Sequence, residues 1–308
     1  MKIFVALQSF GEYDATPLKL LDKVGVEVIY NKLGHRLNQD EIIELGKDSD
    51  GVVAGVEPYD AKVLNNMSSL KCISRCGVGM DNVDLELAKA KGIAVLNTPD
   101  VVVQPVAEMS VAMIFDLLRK LTLHTASLKR GKWEKYSGHL LAGRRVGIVG
   151  LGKIGKRVAQ MLQALGAEVW GADLYPDCAW AKKEGIKIIE LPEVLKSADI
   201  LSIHVSVVKH DSFFLGLDQI SAMKKGALVI NTSRGQVIDE EALYAALKSG
   251  KLAGAGLDVF SQEPYNGPLC ELDNVVLTPH ISTLTEESRS EMEKEAVENI
   301  LRFFGLLK

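Results

Sequence analysis

Cysteine is scarce in this 308-residue chain, and its placement excludes more than it suggests. Cys72, Cys76, Cys178 and Cys270 form no CxxC pair. They outline neither a disulfide framework nor a zinc site, so no metal is expected and a reducing cytoplasm is the expected compartment. Long apolar runs are missing too, and none reaches the length of a membrane span. The first residues, MKIFVALQSFGEYD, turn acidic too soon for the apolar segment of a secretory signal and read as a first strand. Positive charge is not in excess. Lys and Arg number 36 against 40 Asp and Glu, and the net charge of −4 gives no footprint for nucleic acid or an anionic membrane. No repeat of solenoid period and no low-complexity segment occurs. What remains, 47% hydrophobic and 25% charged, is an ordinary globular composition with length enough for two domains.

Short β-branched runs alternate with helical patterns. KIFVAL, VEVIYN, DGVVAG, KCISRCG and GIAVLN read as strands in the first hundred residues, with amphipathic stretches such as DATPLKLLDKVG and NQDEIIELGKD between them. This is the rhythm of a parallel sheet covered by helices. It breaks near Thr98. One long helical pattern then covers Gln104 to Leu128, apolar over more than one stripe, followed by the polar, aromatic loop KRGKWEKYSGHLLAG. A second series begins at Arg145 with RRVGIVG, AEVWGAD, IKIIEL, ADILSIHV, ALVINTS, GAGLDVF and NVVLTPHI. A closing helix, ESRSEMEKEAVENILRFF, is expected to return to the first domain.

In GIVGLGKIGKRVAQMLQALGAEVWGAD, Gly150, Gly152 and Gly155 fall where a strand turns into a helix. That is the context a dinucleotide site requires. Gly150 permits the tight turn, Gly152 lets backbone approach a pyrophosphate, and Gly155 lets helix and strand pack closely. The phosphates would meet N–H groups at the positive end of the helix. Asp173 ends the next strand, where a carboxylate accepts hydrogen bonds from ribose hydroxyls. It repels the 2′-phosphate of NADP, and the following LYPD offers no arginine, so NAD is the expected cofactor. A plain glycine-rich turn is the alternative.

Three further stretches stand at strand ends, where ligands bind in open α/β sheets. VINTSRGQVIDEEAL carries Arg234, AGLDVFSQEP carries Glu263, and VVLTPHIS carries His280. An arginine fork suits a carboxylate or carbonyl oxygen. A histidine backed by a glutamate makes a proton donor and acceptor. Hydride chemistry on a keto acid needs both. Taken singly, Arg234 reads first as a surface ion pair, Glu263 as a loop carboxylate and His280 as a structural histidine.

Together the stretches resemble the D-2-hydroxyacid dehydrogenase family over nearly the whole chain, through GLGKIG with Asp173, NTSRG, LDVFSQEP and TPHIS in that order. The resemblance implies two doubly wound α/β domains. A Rossmann NAD-binding domain, residues 100–283, would be inserted in a flavodoxin-like substrate-binding domain, residues 1–99 and 284–308. It implies Arg234 as substrate-binding residue, His280 as acid/base and Glu263 as its partner. Lys153, Ile154 and Asp173 would contact NAD, Thr232 and Asp258 would hold its nicotinamide end, and Val205 and Ser206 would line it. SRCGVGMDNVD resembles the family's substrate loop, in which the N–H groups of Val78 and Gly79 bind the substrate carboxylate. The long helix and following loop would build a homodimer. The chain departs from the family pattern in HVSVV, where Ser206 and Val208 replace a common Pro and Thr, and in DVVVQP, which lacks a frequent Asn.

Within the family, FGEYD, VIYNKLGHRLNQDEIIEL, SRCGVGMDNVD and NTPD look most like phosphoglycerate dehydrogenases, and the end of the chain after its closing helix suggests members without a C-terminal regulatory domain. Arg75, just before the Gly77–Gly79 turn, is a cation for a substrate phosphate, or else the partner of Asp81 or Asp84. The expected activity is NAD-dependent interconversion of a D-2-hydroxy acid and its 2-keto acid, best matched by 3-phosphoglycerate oxidation in serine biosynthesis. Glyoxylate or hydroxypyruvate reduction is the main enzymatic alternative. A dinucleotide-sensing, corepressor-like binding protein is the non-enzymatic one.

Overall fold

The structure, a computed structural model, describes residues 1–205 and 214–307. Its contacts separate two compact units, Met1–Val102 with Leu284–Lys308, and Val103–Thr283.

In the first unit, strands β1 (Lys2–Val5), β2 (Glu27–Tyr30), β3 (Gly51–Ala54), β4 (Cys72–Arg75) and β5 (Ala94–Asn97) alternate with helices α1 (Thr16–Val24), α2 (Gln39–Gly46), α3 (Ala61–Asn66) and α4 (Leu85–Ala90). Every pairing is parallel, in the order β2-β1-β3-β4-β5. This is the flavodoxin-like order. Central β3 is buried at every residue, as helices on both faces require. The sequence supplies the helix starts. Asn38 accepts the Asp40 and Glu41 N–H groups while Glu41 accepts the Asn38 N–H, a reciprocal cap on α2. Asp60 and Asp84 cap α3 and α4.

The second unit opens with α5 (Val103–Arg119) and α6 (Leu121–Lys129), followed by β6 (Arg145–Val149), α7 (Lys153–Ala164), β7 (Glu168–Ala172), α8 (Cys178–Glu184), β8 (Lys187–Ile188), α9 (Leu191–Ser197), β9 (Ile200–Ile203), α10 (Leu217–Ala222), β10 (Ala227–Asn231), α11 (Glu240–Lys248), β11 (Leu252–Leu257) and β12 (Val275–Leu277). The parallel sheet runs β12-β11-β10-β9-β6-β7-β8. Strand order therefore reverses between β6 and β9, and ligands bind outside the carboxyl ends of strands at such a switch point. The closing helix, α12 (Glu286–Phe303), packs within the first unit on α1, β3, β4 and β5. Among the described residues no helix is long and apolar enough to cross a membrane.

The apolar excess of the long helical pattern has a cause. Val106, Val111, Met113, Ile114 and Leu118 of α5 are buried, and the helix packs on α7, β10, β11 and β12. The single helix expected over Gln104–Leu128 is two, broken at Lys120, whose φ of 53° is left-handed. Asp116, in the last turn of α5, accepts the Thr122 N–H at 2.8 Å and also the Thr122 hydroxyl, which restarts the chain as α6. No Gly or Pro marks the break, so helical periodicity runs through it in the sequence. Lys120→Gly should remove the left-handed penalty and stabilise the second unit by about 1 kcal/mol, whereas Lys120→Ala should not. Equal denaturant midpoints for the two variants would show the break to be unstrained.

Candidate active site

The three glycines do different work. Gly150 has φ 87°, and a side chain there would strike the His204 carbonyl at the end of β9. A side chain on Gly155 would strike the Gly150 carbonyl. Both are demanded by the protein's own packing. Gly152 has an ordinary φ of −69° as N-cap of α7, and among the described residues nothing lies within 4 Å of where its side chain would project. Nothing in the described residues demands glycine at this position. The open space over an uncapped helix start suits an incoming phosphate. Lys153 is exposed, and Ile154 packs its side chain against the sheet's core. Asp173 lies just past β7. Its Oδ2 accepts the Leu151 N–H at 2.6 Å and its Oδ1 the Tyr175 N–H at 2.8 Å, so the acid is locked to the glycine turn. Val205 follows His204 beside Gly150. His204 is kept neutral by desolvation, which pushes its pKa down to about 4, and Nε2 pairs with the Ser202 hydroxyl at 2.8 Å. Ser206 lies outside the described residues.

Arg234, Glu263 and His280 follow β10, β11 and β12, three neighbouring strands whose ends share one edge. His280 Nδ1 lies 2.9 Å from Glu263 Oε2, and Glu263 Oε1 accepts the Phe260 N–H at 3.1 Å. The carboxylate is thus tied at both oxygens. Backbone packing brings the arginine loop to the glutamate loop, since a side chain on Gly235 would enter the Phe260–Ser261 peptide. Two residues not singled out in the sequence hold these loops. Asn231 Oδ1 accepts the Ser233 N–H and hydroxyl, and its amide donates to the Arg234 carbonyl at 2.8 Å. Glu240 accepts the Ser261 N–H and hydroxyl at 2.7 and 2.8 Å.

Thr232 and Asp258 are buried. The Ser110 hydroxyl on α5 donates to the Val106 carbonyl at 2.8 Å and lies 2.9 Å from Thr232 Oγ1. A serine has one hydroxyl proton, so Thr232 is the donor of that pair and keeps only acceptor capacity. Asp258 is wholly buried, and its carboxylate is engaged with residues 278–282.

In the first unit, β4 leads through Arg75 into the turn. The Gly77 carbonyl accepts the Thr98 N–H at 3.1 Å, and the Val78 carbonyl accepts the Asn97 amide at 2.8 Å. In a trans peptide the N–H points opposite the C=O. The N–H groups of Val78 and Gly79 therefore point away from β5, side by side. The Arg75 guanidinium folds over Gly77, where any side chain would collide with it, and donates to the Cys76 carbonyl at 2.9 Å. Asp84 is engaged in capping α4. Glu57, buried in the same unit, also feels the Arg75 charge. Burial raises the Glu57 pKa, while backbone N–H bonds and, more weakly, the charges of Arg36 and Arg75 pull it down.

A dinucleotide turn and an acid/base pair at one sheet edge are what a nicotinamide-dependent dehydrogenase requires. Comparison with known proteins gives the family. Residues 111–282 match the D-isomer specific 2-hydroxyacid dehydrogenase NAD-binding domain, and the chain belongs to that family. It is 38% identical over 294 residues to a D-3-phosphoglycerate dehydrogenase of Methanocaldococcus jannaschii, a match covering 92% of this chain and 55% of that protein. This chain thus spans about half of that relative's length. A hydroxypyruvate reductase of Thermotoga maritima is 36% identical over 301 residues, covering 93% of this chain and 96% of that one. A D-lactate dehydrogenase of Aquifex aeolicus, solved with NAD and lactic acid, superposes with a TM-score of 0.86 at 29% identity, covering 99% and 97% of the two chains.

The separation of glycine roles is testable. Gly152→Ala should fold with wild-type stability and bind NADH more weakly by about 1–3 kcal/mol, since its methyl occupies only ligand space. Gly155→Ala should instead destabilise the fold by about 1–3 kcal/mol through overpacking. NADH titration and thermal melts on both variants check the pair. Unchanged affinity in Gly152→Ala would remove the phosphate from that position.

Proposed function

We propose that this protein is an NAD-dependent oxidoreductase that interconverts a D-2-hydroxy acid and its 2-keto acid. The observation that carries the reading is the 2.9 Å His280–Glu263 pair on the sheet edge that also holds the glycine turn. Gly150, Gly152, Lys153, Ile154 and Gly155 would hold the pyrophosphate, Asp173 the ribose, and Val205, Ser206 and Thr232 the nicotinamide side. Thr232, left with acceptor capacity, suits the NH₂ of the carboxamide. Bound NAD supplies the hydride acceptor for the C2 hydrogen. Glu263 accepts from Nδ1–H of His280, which leaves the neutral ring's lone pair on Nε2. In oxidation Nε2 takes the hydroxyl proton, and in reduction it returns that proton to the carbonyl oxygen. Arg234 orients the substrate's carbonyl and carboxylate oxygens. The Val78 and Gly79 N–H groups take the carboxylate.

For the substrate we favour 3-phosphoglycerate, oxidised to the corresponding 2-keto acid for serine biosynthesis. The Arg75 guanidinium lies over the turn assigned to the carboxylate, and a three-carbon acid places its phosphate a few ångströms from that group. Hydroxypyruvate reduction is the second reading, supported by the near full-length likeness to the Thermotoga maritima enzyme. The exposed Leu121, Leu128, Trp133 and Leu140, all on α6 and the loop after it, support a homodimer through that face. The free cysteines fit the reducing cytoplasm.

Two outcomes follow. His280→Ala should lower turnover by about 10²–10⁴-fold with little change in NADH affinity. Steady-state rates and NADH titration check it, and a fully active variant removes His280 from the chemistry. Arg75→Ala should raise KM for 3-phosphoglycerate by about tenfold or more while leaving KM for hydroxypyruvate within about twofold, since a lost charge-assisted contact is worth roughly 1.5–3 kcal/mol. A wild-type enzyme inert toward 3-phosphoglycerate yet active on hydroxypyruvate would overturn the phosphate reading and leave the dehydrogenase reading standing.

A further inference from the structure

The two peptide groups assigned to the substrate carboxylate are held from behind. In the Gly77–Val78 peptide the carbonyl accepts the Thr98 N–H at 3.1 Å. In the Val78–Gly79 peptide the carbonyl accepts the Asn97 side-chain amide at 2.8 Å. Thr98 grips the turn a second time, its hydroxyl accepting the Gly77 N–H at 2.8 Å. Thr98 is wholly buried, and the Asn97 carbonyl accepts the Asn299 amide of α12 at 3.1 Å. The register of β4 on β5 sets Arg75 opposite Asn97, which brings these donors to the turn. Among the described residues neither the Val78 nor the Gly79 N–H meets an acceptor within the protein. A hydrogen bond to the carbonyl of a peptide polarises that peptide and strengthens its N–H as a donor. Both outward N–H groups are therefore fixed in direction and strengthened from the far side. Backbone does this for Val78, and the side chain of half-buried Asn97 does it for Gly79.

We propose that Asn97 is a positioning residue for the substrate carboxylate: its amide orients the Val78–Gly79 peptide and makes the Gly79 N–H a stronger donor. The proposal rests on the reading of this turn as the carboxylate site. The carboxylate takes no part in bond making, so Asn97 acts on binding and leaves the chemical step alone. Such uniform binding appears in KM with kcat unchanged. Every 2-keto acid carries the carboxylate, so Asn97 acts alike on all of them, whereas Arg75 is read as separating phosphorylated from unphosphorylated acids.

The test measures the wild-type, Asn97→Ala and Asn97→Asp enzymes with NADH and three acids: glyoxylate, hydroxypyruvate and 3-phosphohydroxypyruvate. Asn97→Ala should raise KM by about 3- to 10-fold on each acid that the wild-type enzyme reduces, the worth of one hydrogen bond. Its kcat and NADH dissociation constant should stay within about twofold. Asn97→Asp, of the same shape, should raise KM further at about pH 8, because an ionised carboxyl cannot donate to the Val78 carbonyl and repels the substrate carboxylate. As the pH falls toward about 5, its KM relative to wild type at the same pH should recover, because the protonated carboxyl donates to that carbonyl and the adjacent acceptors favour its neutral form. Asn97→Ala should show no such recovery. A merely structural role moves kcat and NADH affinity together with KM and gives no recovery at low pH, and either result overturns the proposal. Val78→Pro, which deletes one of the two N–H groups, separates the failures. If it raises KM while Asn97→Ala does not, this proposal alone fails. If neither raises KM, the carboxylate reading of the turn fails and the proposal with it. A wild-type enzyme that reduces none of the three acids overturns both.

Discussion

A parallel strand can follow another only if the chain crosses back over the sheet, so every strand delivers its carboxyl end to the same edge. In the second unit this puts the glycine turn after β6, Asp173 after β7, Val205 after β9, Arg234 after β10, Glu263 beyond β11 and His280 beyond β12 along one line. The residues are far apart in sequence, and the register of the sheet assembles them. Apolar strand interiors fix that register. Val146, Ile148, Ile200, Leu201, Val229 and Ile230 are all at 0% exposure, and slipping one strand would cost the burial of its neighbours.

The sheet places the loops, and polar side chains then give them shape. Four of the loops at the edge carry an acceptor that takes two or more donors: Asp173 for the glycine turn, Asn231 for the arginine loop, Glu240 and Glu263 for the Phe260–Glu263 loop, Asp258 for the histidine loop. Loop backbone lacks ladder partners, and an unpaired buried N–H costs about 1–3 kcal/mol. Carboxylates and amides at the strand ends meet that cost. They also leave the loops little freedom, which is what the proposed hydride and proton transfer would require.

The strands and most of the helices were legible because β-branched runs and capping residues are local signals. Gly150, Gly155, Glu263 and His280 were legible because each stands in a short motif at a strand end. Three features were not. The break at Lys120 depends on Asp116 reaching Thr122, and no turn residue announces it. The bond from Ser110 to Thr232 spans 122 positions, although a lone serine in the apolar run AEMSVAM was a visible oddity. The donors that saturate Asp258 sat in plain view in TPHIS, but only the fold shows Thr278 and Ser282 turned back onto a buried acid. A sequence lists donors and acceptors without saying which pairs close.

The same distinction governs the first unit. Arg75 reads in the sequence as a bare cation beside a glycine turn. In the fold its neighbourhood includes Glu57, only 3% exposed, whose carboxylate accepts the Gly55 N–H at 2.8 Å. Burial favours the neutral acid there, while backbone N–H bonds and, more weakly, the charges of Arg36 and Arg75 favour the carboxylate. The coupling runs both ways. A dianionic phosphate arriving at Arg75 adds negative charge beside Glu57, which raises the cost of keeping that carboxyl ionised and draws a proton onto it. On the proposed phosphate reading, binding at Arg75 would favour proton uptake by this buried acid, three residues past the end of β3. A substrate with no charged group at that position would make no such demand, so on that reading the two kinds of acid would differ in the pH dependence of their binding.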